Sequence, residues 1–191
     1  MLISSTSALL ETMTPDLITV DQILAQSGVS KGSLYHHFED ITNLLEITYI
    51  SRYAKWIDAS ISGMTKVLQH VKTKEELVDA LMEVTKFTQS SIMRESRIER
   101  ARTLGLANGK PRFEKALGEE TKRLANSIED LVREVIERGL FQSTLNPKVI
   151  AVFIQAYTLG KIVNDFSPEP VSDDDWNILI NHIIRSSFIA Q

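Results

Sequence analysis

Residues 19–40 of this 191-residue chain read TVDQILAQSGVSKGSLYHHFED. Thr19, with Gln22 three residues later, has the pattern of a capping box and predicts the start of a helix. Gly28 is expected to end that helix, because glycine adopts the left-handed conformation of a helix C-terminus without strain. Ser30 is then the N-cap of a second short helix. Two short helices joined by a turn are therefore predicted. The apolar side chains expected to seal their small core are Ile23, Leu24, Val29, Leu34 and Phe38.

The second of these helices is expected to expose a polar and aromatic surface. Small hydroxyl donors, one cation, aromatic rings and a residue without a side chain suit close approach to the DNA backbone and to base edges. Gly32 lowers helix stability relative to alanine, and close contact is one reason for a glycine at that position. The residues expected on this surface are Ser30, Lys31, Gly32, Ser33, Tyr35, His36 and His37.

The run from Gly28 to Phe38, followed by Asp40 and Leu44, resembles the signature around the recognition helix of the tetracycline-repressor (TetR) family. The dense part of the resemblance covers residues 19–45, and beyond it only the helix pattern and the length agree. The resemblance implies a helix-turn-helix DNA-binding head over residues 1–46. It also implies an all-helical effector-binding and dimerisation body over residues 47–191. The implied partners are double-stranded DNA, a small-molecule effector and a second copy of the chain.

By position, the resemblance implies two kinds of DNA contact. Phosphate contacts are expected from Thr19, Ser33, Tyr35 and His37. Contacts with base edges are expected from Lys31, Gly32 and His36.

The charge of the head argues against tight DNA binding. The first 50 residues contain six acidic side chains and one lysine, whereas a nucleic-acid-binding protein usually has a basic surface. Ile41 stands where the family usually has Lys or Arg, and the first helix has no basic residue. We therefore expect weak or salt-sensitive DNA binding, or a natural N-terminus longer than this one. The alternative is a dimeric helical interaction protein of the same fold that acts through a protein partner.

The composition limits the classes of protein to which the chain can belong. With 43% hydrophobic residues and a net charge of −4, the chain can bury a substantial core in one or two domains. The absence of cysteine excludes disulfides and thiolate metal sites and suits a reducing compartment. No apolar run approaches the length of a membrane span, and the start lacks the basic region of a signal peptide. We expect an unprocessed cytoplasmic protein with no cofactor and no membrane partner.

Apolar residues recur at helical spacing along the chain, so an all-α fold is predicted. Pro15 should end a first helix near Met13. Asp40 should cap a long helix that connects head and body. The expected buried stripe of that helix is Leu44, Leu45, Thr48, Tyr49, Arg52, Tyr53, Trp56 and Ile57. Further helices are predicted over 74–93, 95–106, 110–138, 147–166 and 173–190.

Two groups in the body are candidates for effector binding. Large apolar side chains could line a pocket between helices, although such residues at helical spacing are more often plain core. These candidates are Trp56, Phe87, Ile92, Phe113, Leu117, Phe153 and Tyr157. A second group, Arg94, Arg97, Arg100 and Arg102, is interleaved with Glu95 and Glu99. This pattern favours a solvated helix face, and a site for an acidic ligand is the alternative.

The last two predicted helices have apolar faces that suit a four-helix interface between two copies of the chain. Burial inside one protomer is the alternative. The candidate interface residues are Val152, Phe153, Ala156, Gly160, Trp176, Ile180, Ile183 and Ile184.

The sequence offers no catalytic or metal-binding constellation. Adjacent His36 and His37 point about 100° apart on a helix and cannot easily share one ion. The chain has no cysteine nucleophile, Gly-x-Ser-x-Gly elbow, phosphate-binding glycine loop or His-Glu-x-x-His motif. We therefore predict that the protein is not an enzyme and holds no metal.

Overall fold

The computed structural model describes residues 1–141 and 144–188. Within these ranges the regular structure is helical and contains no strand, which confirms the all-α fold class. Two 3₁₀ turns, Pro15–Leu17 and Ser91–Met93, lie between helices. The α-helices are α1 (Leu2–Leu9), α2 (Val20–Ser27), α3 (Lys31–His37), α4 (Ile41–Gln69), α5 (Lys74–Gln89), α6 (Arg94–Ala107), α7 (Pro111–Glu137), α8 (Pro147–Gly160), α9 (Ile162–Asp165) and α10 (Asp173–Phe188).

The boundaries of the first helices follow local side-chain chemistry. The Thr19 hydroxyl accepts from the Gln22 amide at 3.4 Å, and Gln22 Oε1 accepts from the Thr19 amide at 2.8 Å. Gly28 ends α2 in the left-handed conformation with φ +66°. Asp40 Oδ1 accepts from the Asn43 amide at 2.8 Å and caps α4. The predicted capping box, glycine C-cap and aspartate N-cap are all confirmed.

Three predicted helices differ in extent from those of the structure. The first helix ends at Leu9 rather than near Met13, although the Met13 amide still bonds to the Leu9 carbonyl at 2.9 Å. The helix predicted over 74–93 breaks at Ser90, whose backbone is extended. The helix predicted over 147–166 is interrupted at Lys161, whose side chain is buried. The end of the helix predicted over 173–190 lies outside the described residues.

Helix α4 connects the parts of the hydrophobic core. Leu44 lies in the head cluster with Leu2, Ile18, Ile23 and Leu34. Farther along α4, side chains enter a central cluster that consists of Tyr49, Tyr53, Ile57, Ala107, Phe113, Leu117, Leu124, Ile128 and Ala151. A distal cluster contains Val71, Leu77, Val135, Phe141 and Ile150. With 29 residues, α4 is about 43 Å long and spans head and body.

A buried ion pair joins three helices of the body. Arg97 is fully buried, and its Nε and Nη2 donate to the Asp165 carboxylate at 2.6 and 2.8 Å. Its Nη1 donates to the carbonyls of Thr88 at 3.0 Å and Ser90 at 3.1 Å. The hydrogen bonds from Arg97 lower the pKa of Asp165. Because Arg97 fastens α6 to α9 and to the end of α5, the predicted solvated face is wrong at this position.

A second polar cluster fixes α10. The buried Lys161 ammonium donates to the Gln89 carbonyl and to the Asp173 carboxylate. Trp176 Nε1 donates to Gln89 Oε1 at 3.1 Å. These contacts hold the start of α10 against the end of α5. Among the helices of the described ranges, none is long and apolar enough to cross a membrane.

Candidate nucleic-acid interface and effector cavity

Helix α3 packs against the head with one side and exposes the other side to solvent. Leu34 is fully buried in the head cluster. On the exposed side, Tyr35 has 47% of its surface accessible. The predicted contact residues Lys31, Gly32, His36 and His37 are exposed, and Ser33 is half-buried. The surface therefore offers an ammonium, a phenol, two imidazoles and a bare stretch of backbone to a ligand.

The remaining two predicted DNA contacts also cap helices. Ser30 Oγ accepts from the Ser33 amide at 3.2 Å, which leaves the hydroxyl hydrogen free to donate. The Thr19 hydroxyl donates to Gln22 Oε1 at 2.9 Å while it caps α2. Both residues are exposed, so each lies at a helix start that a phosphate could approach.

The rings of the two adjacent histidines, His36 and His37, contact each other edge to face. Their ring centroids lie 5.0 Å apart, with the planes at 71°. No group of three potential ligands from histidine, aspartate and glutamate occurs in the part of the chain that the structure describes.

Cations from the body neutralise part of the acidic head. Arg112 Nη1 lies 2.6 Å from Glu39, just beyond α3. Lys110 Nζ lies 3.1 Å from Glu46 on α4. Both cations flank Pro111 at the start of α7, far from the head in sequence. No sequence pattern indicates this pairing, because all four residues look like ordinary surface charges.

The head also matches a known family. Residues 2–47 match the family model described as bacterial regulatory proteins, tetR family. This head is a TetR-family domain. No curated protein matches the chain.

Solved structures extend the TetR likeness to the fold of the body. A Mesorhizobium loti protein provisionally assigned to the TetR family is 16% identical, with 97% of this chain and 92% of that chain covered and a TM-score of 0.71. A TetR/AcrR-family regulator from Thermobifida fusca is 14% identical, with 96% and 93% covered and a TM-score of 0.64. The regulator FadR from Bacillus subtilis, solved with stearoyl-CoA, is 15% identical, with 96% and 95% covered and a TM-score of 0.61. The chain therefore has the fold of TetR-family transcriptional regulators.

The TetR-like body contains an apolar cavity of about 120 Å³. It lies between the end of α4 and helices α5, α7, α8 and α10. Its lining side chains are apolar except those of Thr85 and Tyr157, whose hydroxyl oxygens are 3.3 Å apart. Burial raises the pKa of Tyr157, so this phenol is neutral at physiological pH. Such a cavity suits a small, mainly apolar molecule.

The structure does not bring the seven predicted pocket residues together. Phe153 and Tyr157 line the cavity, with ring centroids 5.6 Å apart. Phe113, Leu117 and Trp56 belong to or pack against the central core. Phe87 and Ile92 lie on the surface, 61% and 83% exposed, so they are not pocket residues. The sequence identified these residues as large and apolar at helical spacing. It did not indicate which side of each helix faces inward.

The cavity has lining residues that were not predicted. They include Leu81, Ile128, Val132 and Ile154, all aliphatic residues on the facing sides of α5, α7 and α8. The available signal was the helical spacing of aliphatic residues on α7. The predicted set contained only Phe113 and Leu117 from α7, and neither lines the cavity.

The predicted interface residues divide into two groups. On α8, Val152, Phe153, Ala156 and Gly160 are exposed. On α10, Ile180 and Ile184 are buried and line the cavity with the half-buried Ile183. Trp176 is half-buried and bonded to Gln89.

The α10 part of the interface prediction therefore needs correction. The side of α10 that contains these residues packs into the protomer against α5, because the Gln89 and Lys161 contacts fix its orientation. Ile178 and Leu179 are instead the exposed apolar residues of α10, at 67% and 51%.

Proposed function

We propose that the protein is a ligand-responsive transcriptional regulator. It binds a palindromic DNA site as a homodimer, and a small apolar or amphipathic effector releases it. The observation that carries the proposal is the α3 surface of the TetR-family domain, where Lys31 and Tyr35 are exposed beside Gly32. A DNA-binding role places the protein in the bacterial cytoplasm.

DNA binding is supported by how α3 is presented. The Gly28 corner and the Ser30 cap set the start of α3, and Leu34 fixes its rotation in the head. Helix-turn-helix proteins place such a helix in the major groove. Lys31, Gly32 and His36 would then approach base edges, and Thr19, Ser33, Tyr35 and His37 would contact phosphates. Ser30 lies between the two groups.

Dimerisation is supported by exposed apolar residues on α8 and α10. Val149, Val152 and Phe153 on α8 are between 44% and 61% exposed, and Ile178 and Leu179 are exposed on α10. Apolar surface of this kind on a globular protein commonly marks an interface. A two-fold dimer would place two α3 helices about 34–36 Å apart, one turn of DNA, on a palindromic site.

Effector control is supported by the course of α4. Near its start, Leu44 packs in the head, and near its end, Met64, Val67 and Leu68 line the apolar cavity. A molecule in the cavity that favours one position of α4 would change the separation of the two heads. It can shift that equilibrium only by its difference in affinity for the two states.

The test is selection from a randomised duplex library by the full-length protein at low salt. We expect enrichment of a palindrome, and loss of that enrichment with Lys31→Ala and with Tyr35→Ala. Matched controls are Lys66→Ala and Phe87→Ala, an exposed cation and an exposed aromatic residue of the body. No enrichment, or equal loss with the controls, would contradict the proposal.

The acidic head favours one alternative function. Six acidic side chains accompany a single lysine in residues 1–50, which suits a helical dimer that acts through a protein partner. A salt titration of binding to the selected duplex distinguishes the two functions. Phosphate contacts require binding to weaken steeply as salt rises. Binding that is weak and insensitive to salt would favour the protein partner.

A further inference from the structure

Arg100 on α6 is a buried cation without an anionic partner. Only 9% of the residue is exposed. Its one hydrogen bond in the described ranges is from Nε to the Ser96 carbonyl at 3.4 Å. One turn earlier, Arg97 donates two hydrogen bonds to one carboxylate and one to each of two backbone carbonyls. Burying a charge without such partners costs free energy, so Arg100 calls for an explanation that Arg97 does not.

The surroundings of Arg100 leave its hydrogen-bond donors available. The guanidinium carbon lies 4.3 Å from the centre of the Trp56 ring, in a cation–π contact that covers one face of the group. Stacking of this kind does not use the N–H groups, which point outward in the guanidinium plane. A carboxylate or phosphate can accept two parallel hydrogen bonds from such an edge.

Arg100 borders a large cleft that is separate from the apolar cavity. The cleft has a volume of about 780 Å³ and lies between α4, α6, α7 and α8. None of its lining residues lines the apolar cavity. Much of its wall is aliphatic, including Leu104, Leu117 and Leu159. The cleft thus combines an apolar wall with one buried cation.

The charges around this cleft favour an anion. Besides Arg100, the lining contains Lys122 and Lys148, both exposed. Glu114 is its one carboxylate in the described ranges, and that group accepts a hydrogen bond from the Gly109 amide at 2.9 Å. Burial lowers the pKa of Arg100 to about 10, so the group remains charged at neutral pH.

A smaller cleft that also borders Arg100 is less suitable. It has a volume of about 280 Å³ and contains two carboxylates, Glu11 and Glu99. Its arginine, Arg52, is already engaged by the Glu99 carboxylate and by the Ser7 carbonyl at 2.8 Å. Besides Arg52 and Arg100, its other cation is Lys55. Two carboxylates would repel an anion there, whereas the larger cleft has one carboxylate, so the larger cleft is the better site.

We propose that the cleft between α4, α6, α7 and α8 binds an amphipathic organic acid, with its anionic group held by Arg100 and its apolar part against the aliphatic wall. The site does not depend on the proposed DNA binding. The earlier alternative of an acidic-ligand site on α6 thereby applies to Arg100 alone. The rim includes Val152 and Ala156 from the α8 face proposed to dimerise, so the test uses the full-length protein in its solution state.

The test compares an acid with its uncharged counterpart. We would titrate the protein with 2-naphthoate and with 2-naphthamide at pH 7 in a calorimeter. We expect the acid to bind about ten-fold more tightly or better, because charge-assisted bonds to Arg100 form only with the acid. Arg100→Gln should abolish this preference and leave the affinity for the amide unchanged. Arg133→Gln, at an exposed arginine of α7 outside the cleft, is the matched control and should keep the preference.

Three results of the titrations would contradict the proposed acid-binding site. Equal affinity for acid and amide, an undiminished preference in Arg100→Gln, or no binding of 2-naphthoate at millimolar concentration would overturn the site. We expect Arg100→Gln to fold, since it removes an unpaired buried charge, and circular dichroism would check this. If this variant does not fold, the affinities of the wild-type protein for 2-naphthoate and 2-naphthamide still test the site, because the two ligands differ in charge. Failure of this site would leave the library selection unaffected, since that experiment contains no ligand.

Discussion

The head and the body are stabilised by interactions of different range. In the head, caps at Thr19, Ser30 and Asp40 join residues three apart in sequence. In the body, Arg97 pairs with Asp165 across 68 residues, and Lys161 reaches the Gln89 carbonyl across 72. The head is therefore encoded locally, and its exposed surface remains free for binding. The body depends on distant polar partners, so substitutions there should cost more stability.

The largest expected effect is at the buried ion pair of the body. Arg97→Leu should lower the free energy of unfolding by about 3–5 kcal/mol, because it leaves the Asp165 carboxylate, 7% exposed, without its partner. Urea unfolding followed by circular dichroism measures this loss. The control is Arg133→Leu, at an exposed pair with Glu129, with an expected loss of at most about 1 kcal/mol. Equal losses for both variants would remove the distinction between long-range and surface pairs.

The next effect is in the head, at the corner between α2 and α3. Gly28→Ala should cost about 1–2 kcal/mol, because φ is +66° and L-residues disfavour that conformation. An added Cβ would meet no atom within 4 Å, so the cost is conformational rather than steric. Gly105→Ala, inside α6 and equally free of clashes, is the control and should be neutral or stabilising by up to about 1 kcal/mol. Thermal unfolding of both variants checks the opposite signs.

A smaller effect is expected at the start of α4. Asp40→Ala removes the acceptor of the Asn43 amide and should cost about 1 kcal/mol. Asp40→Asn keeps a capping oxygen and should recover most of that stability. If urea unfolding shows the two variants to be equally destabilised, the carboxylate contributes through its charge instead.

The smallest effect is expected at the junction of head and body. Arg112 and Glu39 are 81% and 70% exposed, so their coupling should be smaller than any of the effects above and should weaken with salt. A double-mutant cycle with Arg112→Gln and Glu39→Gln measures it directly. A coupling as large as the loss expected for Arg97→Leu, or one that salt leaves unchanged, would mean that the junction is as firmly held as the interior of the body.

The sequence was informative where the interactions are local. The helix boundaries at Thr19, Gly28 and Asp40 could be predicted because each depends on one side chain and the backbone beside it. The resemblance of the head to TetR proteins rested on the same short stretch. The DNA contacts assigned to α3 remain predictions.

The body was harder to predict because packing decides which side of a helix is buried. Arg97 and Arg100 have the spacing of a solvated face, but α6 packs against several helices and buries both. Ile180 and Ile184 have the pattern of an interface, yet α10 turns them inward. Phe87 and Ile92 look like pocket residues and lie on the surface. In each case the residue type was clear, but whether the side chain is buried depends on the packing of segments that are distant in sequence.

The pairs Glu39–Arg112 and Glu46–Lys110 limit how this protein could be recombined with its structural relatives. A head cut at residue 46 and grafted onto another body of this fold would lose both cations and keep both carboxylates, one of them two residues beyond the end of α3. A chimaera of that kind should be a poorer DNA binder than either parent. Transfer of residues 108–112 along with the head would restore the pairs, so the portable unit of this protein is not continuous in sequence.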